Sequence, residues 1–290
     1  MLEFFIQPFI EFAFMKRALV ACFALALGSA PIGVILMLRR MSLFGEAMSH
    51  AILPGAATGF LIAGFSLPAI SIGGVIAGLV VVLAAGAATR ATDQREDASV
   101  AAFYLIALAL GVALISMRGS SVDVMHILFG SVLAVDEAAL LLLGVISSIS
   151  LALLAALYRP LLLDGFDPDF LRSLRGTGGG TLYHLIFLGL VVVNLVAAFQ
   201  ALGTLMAVGL MMLPAVTARF WARSLPGMMA VAALIAAISG YAGLLLSFHA
   251  NLPSGPAIVL ACGSLYIVSL FFGRVQGILL RLLPARHLEA

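Results

Sequence analysis

Long apolar runs alternate with short polar clusters along this chain. About 20 consecutive apolar residues are needed for a helix to cross the hydrocarbon of a bilayer. Runs of that kind lie near 18–38, 47–64, 67–89, 98–117, 138–158, 181–199, 203–218, 226–248 and 256–273. The pattern predicts an all-α integral membrane protein, a polytopic bundle of eight or nine transmembrane helices in a single domain over 1–290. The runs 47–64 and 203–218 are its short members. The stretch 122–135 is apolar but too short to span, and reads as a re-entrant or interfacial helix.

Composition agrees. The chain is 63% hydrophobic and 10% charged, with a mean hydropathy of +1.21, where a soluble domain carries about 25% charged residues. With 15 Lys and Arg and 13 Asp and Glu over 290 residues, the surface of a soluble fold could not be covered. The net charge of +2 gives no reason to expect nucleic acid as a partner. Cys22 and Cys262 sit in apolar runs and read as small packing residues, not as a disulfide or a metal pair. The first run is followed by Arg39 and Arg40 without a cleavage-site pattern, so it reads as a retained helix.

Basic residues predict the orientation. With the N-terminus outside and the C-terminus in the cytoplasm, twelve arginines (39, 40, 90, 95, 159, 172, 175, 219, 223, 274, 281 and 286) fall inside, against Lys16, Arg17 and Arg118 outside. An odd number of spans, such as nine, follows. Gly occurs 29 times, with many copies inside the runs, among them Gly73, Gly74, Gly78, Gly203 and Gly209. Small residues let membrane helices approach closely. These stretches are expected to pack the bundle or a dimer.

Two polar segments stand out. The cluster 90–97 reads as a solvated loop. The longest inner connection, 159–180, carries Asp167 and Pro168 at cap and first-turn positions, then Phe170, Leu171 and Leu174 on one face with Arg172 and Arg175 on another, and ends in a glycine run. It predicts a short amphipathic helix that docks on lipid headgroups or, the favoured reading, on a cytoplasmic partner. The glycines at 178–180 lack the Lys-Ser/Thr ending of a phosphate loop, and the chain carries no Walker A pattern. Any ATPase must be another chain.

The chemistry concentrates at Glu46 and His50. No charged residue follows them until Arg90. At i, i+4 they share one face of a helix. An ionisable pair beside an apolar run is costly to place and marks function by default, and both side chains are ligands for divalent cations. The plainer alternative is a polar pair that positions a helix. His126, three residues after Asp123, and His249, beside Asn251, are weaker candidates for metal contact at the outer mouth. His184 starts a helix at the inner side and reads as an interfacial residue; His287 belongs to the tail.

Four blocks, in order, resemble the permeases of bacterial zinc/manganese/iron ABC importers, with zinc-type permeases the most similar: GEAMSHAILPG (45–55), FGSVLAV (129–135), GLMMLPAVTAR (209–219) and LPSGPAIV (252–259). The likeness runs from about residue 17 to 275. It implies a multi-pass protein of the bacterial inner membrane that works as a homodimer. Its implied partners are two cytoplasmic ATPase subunits, which bind the ATP, and a periplasmic or lipid-anchored metal-binding protein. It implies no resident cofactor and no enzyme activity of this chain's own. The transported substrate would be Zn2+, with Mn2+ second, moved by alternating access. It places Glu46 and His50 at the transport site and makes 164–175 the coupling helix, with Asp164, Asp167, Pro168, Phe170, Leu171 and Leu174 facing the ATPase. The family more often has Asp where this chain has Glu46, and usually has Asp at Asn251. The competing reading is an ion-coupled secondary metal transporter using the same pair. Such proteins often show internal two-fold similarity and more buried acids, which this sequence lacks. An intramembrane protease would need a second catalytic partner that is also missing.

Overall fold

The computed structural model describes residues 2–64, 66–92, 94–116, 135–166 and 177–279. Among them every regular element is an α-helix. In chain order these are α1 (Leu2–Glu11), α2 (Ala13–Gly28), α3 (Ala30–Leu38), α4 (Phe44–Ala51), α5 (Leu53–Ala63), α6 (Leu67–Ala91) and α7 (Glu96–Ser116), then α8 (Glu137–Ala156), α9 (Tyr158–Phe166), α10 (Thr177–Leu202), α11 (Thr204–Ala218), α12 (Leu225–Ala250) and α13 (Ser254–Phe272).

Seven described helices are long and apolar enough to cross a membrane. The first joins α2 and α3 into Ala13–Leu38, with a turn at Ser29, and so begins before the run at 18 and takes in Lys16 and Arg17. Two expected spans differ. The run 47–64 is divided at Ile52 into α4 and α5, because Pro54 in the first turn of α5 has no N–H to continue the helix. The run 203–218 is the 15-residue α11, set off from α10 by Gly203 at φ 86°, a left-handed conformation that a Cβ would oppose. The segment 122–134 lies outside the described residues.

The centre is α3, whose residues from Ala30 to Met37 are all buried, packed by α11 and α12. Glycines set the spacing. A Cβ on Gly33 would meet the Met211 carbonyl of α11, and Cβ atoms on Gly55 and Gly73 would each meet the other's carbonyl across α5 and α6. Gly74 and Gly78 face Val196, Val192 and Ile52, and Gly209 faces Val259. Both small-residue stretches are therefore used inside the chain's own bundle. Asn194, 1% exposed within α10, donates from Nδ2 to Ser150 Oγ at 2.6 Å and to the Leu190 carbonyl at 2.9 Å. That supplies the partners an amide needs in an apolar interior.

Helix ends follow local chemistry. Asp136 caps α8, accepting from the Ala139 N–H at 2.8 Å. Among the described residues, Arg40 (φ 61°) and Asn251 (φ 52°) are the non-Gly residues with positive φ, each just past a helix. After α3, the Met41 N–H reaches the Leu36 carbonyl at 2.9 Å and the Arg40 N–H the Met37 carbonyl at 3.1 Å, closing the last turn as a left-handed C′ residue does. Asn tolerates that conformation better than most residues, which gives Asn251 a structural reason of its own.

Candidate metal-transport site

The turn at Arg39–Arg40 reverses the chain, and α4 re-enters the bundle at once, packing on α7, α10 and α11. Its buried face is Phe44, Gly45, Ala47, Met48, Ser49 and Ala51. Glu46 lies in the first turn, where a carboxylate favours the helix dipole. Its side chain is exposed and borders a cavity of about 770 Å3 between α4 and α7. Three arginines (Arg39, Arg40, Arg95) and two further carboxylates (Glu96, Asp97) share that cavity. His50, one turn deeper, is half-buried, and its Nδ1 is buried with no hydrogen-bond partner. A buried imidazole nitrogen left unpaired is costly unless something else takes its lone pair or proton. A carboxylate and a ring on one helix face can hold a divalent ion between them, and the orphaned Nδ1 fits that use.

Two protein ligands are fewer than a closed transition-metal site needs. Among the described residues no group of three or more His, Cys, Asp or Glu could hold an ion. His249 is exposed in the last turn of α12, edge-on to the Phe248 ring at 5.2 Å. It sits at the far end of a 26-residue helix whose first residue, Leu225, lies by Arg39, and the structure does not bring it to Glu46 and His50. Asp123 and His126 lie outside the described residues, as do Asp167, Pro168, Phe170, Leu171 and Leu174. Cys22 and Cys262 are free and buried.

Sequence reasoning missed a cluster of charge beneath this site. Arg39, at the end of α3, donates from Nη1 to Asp164 Oδ2 at 2.9 Å and from Nη2 to the Leu161 carbonyl at 2.9 Å, both on α9. The two side chains are 7% and 9% exposed. The guanidinium also lies 4.6 Å from the centre of the Phe187 ring. Arg39 Nη1 is 3.2 Å from His184 Nδ1 on α10. A guanidinium can only donate, so Nδ1 accepts, and the Nε2–H donates to Glu96 Oε1 on α7 at 2.7 Å. Burial lowers the Arg39 pKa from its ordinary value, and the carboxylates of Asp164 and Glu96 act against that shift. Removing one partner of such a buried pair costs about 3–5 kcal/mol, since the other charge is stranded. Asp164, expected at the ATPase, turns its side chain inward. His184, expected as an interfacial residue, joins Arg39 to Glu96 on α7. In the sequence these residues signalled only as isolated polar positions at the ends of runs.

Fold and site together define a multi-pass helical membrane protein with a carboxylate–imidazole pair on a short helix that re-enters the bundle. The model of the ABC 3 transport family matches residues 11–273, and the chain belongs to that family. It is 35% identical to the manganese transport system membrane protein MntC of Halalkalibacterium halodurans over 281 residues, 97% of this chain and 94% of the relative. It is 32% identical to the manganese import system permease protein ScaB of Streptococcus parasanguinis, over 95% of this chain and 96% of that one. Among solved structures it is similar to PsaBC from Streptococcus pneumoniae in complex with Fab, with a TM-score of 0.84 and 29% identity over 98% of this chain and 100% of the other. The chain is thus an ABC-type permease subunit, and ATP hydrolysis belongs to a partner chain. The narrower likeness to zinc-type permeases is not supported by these relatives, whose names concern manganese.

Proposed function

We propose that this chain is the permease of a divalent metal importer of the bacterial inner membrane, with manganese as its cargo, and that Glu46 and His50 are the transport ligands. The observation that carries the reading is the pairing on α4: a carboxylate open to a cavity and, one turn deeper, an imidazole whose buried Nδ1 has no partner. The order of metals read from the sequence is reversed, with Mn2+ before Zn2+. A carboxylate and one imidazole without thiolates suit manganese, and the relatives are manganese proteins by name. The reading of an ion-coupled secondary transporter loses its ground with membership of the ABC 3 family.

The permease works as a homodimer, N-terminus outside and C-terminus in the cytoplasm, with two ATPase subunits on the inner side. A periplasmic or lipid-anchored protein delivers the metal, which crosses by alternating access. The two-ligand site supports the dimer, because a second copy or water must complete the coordination sphere. Proteoliposomes holding the permease with its ATPase should take up radioactive Mn2+, and unlabelled Mn2+ should compete at lower concentration than Zn2+. Stronger competition by Zn2+ would overturn the choice of metal.

The inner connection 159–180 docks on the ATPase. Replacing Phe170 and Leu174 by Asp should abolish co-purification of the ATPase subunits or uncouple hydrolysis from uptake. The measurement is the mass and the metal-stimulated ATPase rate of the detergent-solubilised complex, which should hold two permeases and two ATPases. An intact complex with coupled hydrolysis would mean that this segment only lies on lipid.

A further inference from the structure

We propose that Arg39, Asp164, His184 and Glu96 are the positioning residues that transmit movement of the inner connection to the metal site. This rests on the import reading above and adds to it the path of coupling within the chain. The four groups form one unbroken series of charge-assisted hydrogen bonds, Asp164 to Arg39 to His184 to Glu96, with heavy-atom separations of 2.9, 3.2 and 2.7 Å. The series runs through four helices. Asp164 is on α9, in the connection 159–180. Arg39 ends α3, five residues before α4 begins. His184 is on α10, and Glu96 opens α7.

Two members of the series, Arg39 and Glu96, meet the site. Arg39 leads directly into the helix that carries Glu46 and His50. Glu96 stands at the start of α7, against which α4 packs. Arg39, Glu46 and Glu96 line the same cavity. On the other side Arg39 and Glu96 line a second cavity, of about 440 Å3, with Asp164 and His184. Arg39 and Glu96 therefore border both a cavity that reaches Glu46 and one that reaches α9.

The grip on α9 is two-point, through the Asp164 carboxylate and the Leu161 backbone carbonyl. A shift of α9 must either drag Arg39, and the start of α4 with it, or break an ion pair that is largely out of water. Such pairs have discrete made and broken arrangements and do not stretch smoothly. A simple helix clamp would need the Arg39–Asp164 pair alone. The extension through His184 to Glu96 carries the same constraint across to the opposite wall of the Glu46 cavity.

The test uses the permease–ATPase complex in proteoliposomes and counts Mn2+ transported per ATP hydrolysed, together with Mn2+ affinity of the solubilised complex. His184→Ala and Asp164→Asn should lower the transport ratio by about tenfold or more, within the usual range of coupling between sites. ATP hydrolysis should continue and Mn2+ affinity should stay near the wild-type value. Asp164→Glu, which keeps the anion, should retain most of the ratio. Glu96→Gln, at the more exposed end of the series (34%), carries the same test with less risk to folding, and the ratio is independent of yield. An unchanged ratio in Glu96→Gln and His184→Ala overturns the proposal and leaves the four residues a structural clamp. Failure of the import reading shows separately, as no ATP-driven Mn2+ uptake by the unaltered complex.

Discussion

Glu46→Ala and His50→Ala should each abolish Mn2+ uptake in proteoliposomes while the permease still folds and binds its ATPase. Each change removes one of the two ligands proposed above. Loss of a mere supporting partner costs about 10–100-fold in metal affinity, so loss of a ligand should cost at least about 100-fold in uptake. Folding should survive for different reasons at the two positions. The Glu46 side chain is exposed and faces a cavity, so shortening it leaves no void in the core. His50→Ala removes a buried nitrogen that has no partner, so no hydrogen bond is broken. Glu46→Asp should retain activity, since the carboxylate is kept one methylene shorter. The check is radioactive Mn2+ uptake against the elution profile and ATPase content of each variant. Wild-type uptake by either alanine variant would remove that residue from the site.

Gly33→Ala and Gly55→Ala should cost most of the folded protein. At both positions the added Cβ would be driven onto a backbone carbonyl of the facing helix, Met211 in one case and Gly73 in the other. Backbone cannot swing aside as a flexible side chain can. Overpacking by a methylene ordinarily costs about 1–3 kcal/mol, and moving whole helices apart should exceed that range. Gly144→Ala and Gly263→Ala provide the control, because nothing lies within 4 Å of a Cβ at either position. Those two changes should be neutral or stabilise by up to about 1 kcal/mol, the helix-interior penalty of glycine. Thermal unfolding of the four variants in detergent, followed by loss of the monodisperse peak, separates the outcomes. Equal behaviour of all four would mean that α3–α11 and α5–α6 do not pack as closely as described.

The membrane class, most of the spans and the Glu46–His50 pair were legible in the sequence. These depend on local facts. An apolar run of span length has only one favourable solvent, and i, i+4 spacing puts two side chains on one face wherever the helix goes. The sequence also marked small residues for close packing, but a glycine does not name its neighbour. That the 73–78 and 203–209 stretches face helices of the same chain was decided by the tertiary structure. So was the break of the run 47–64 into α4 and α5. Pro54 was visible there, but a proline within a span can kink or end a helix, and only the structure shows that it opens a new helix here.

The least legible feature is the series beneath the site. Arg39 lies 125 residues from Asp164 and 145 from His184 in the chain, and Glu96 is 88 residues from His184. No spacing rule joins such positions. Arg39 read as one of the inside-facing arginines, Glu96 as part of a solvated loop, His184 as an interfacial residue and Asp164 as a contact for another protein. What the sequence by itself determined is the solvent of each segment and the chemistry each residue can offer. What the tertiary structure decided is which of those groups meet. Hydrophobic patterning is satisfied by any arrangement that keeps apolar runs in lipid, whereas a charge buried at a helix end is tolerable only where the bundle brings it a partner.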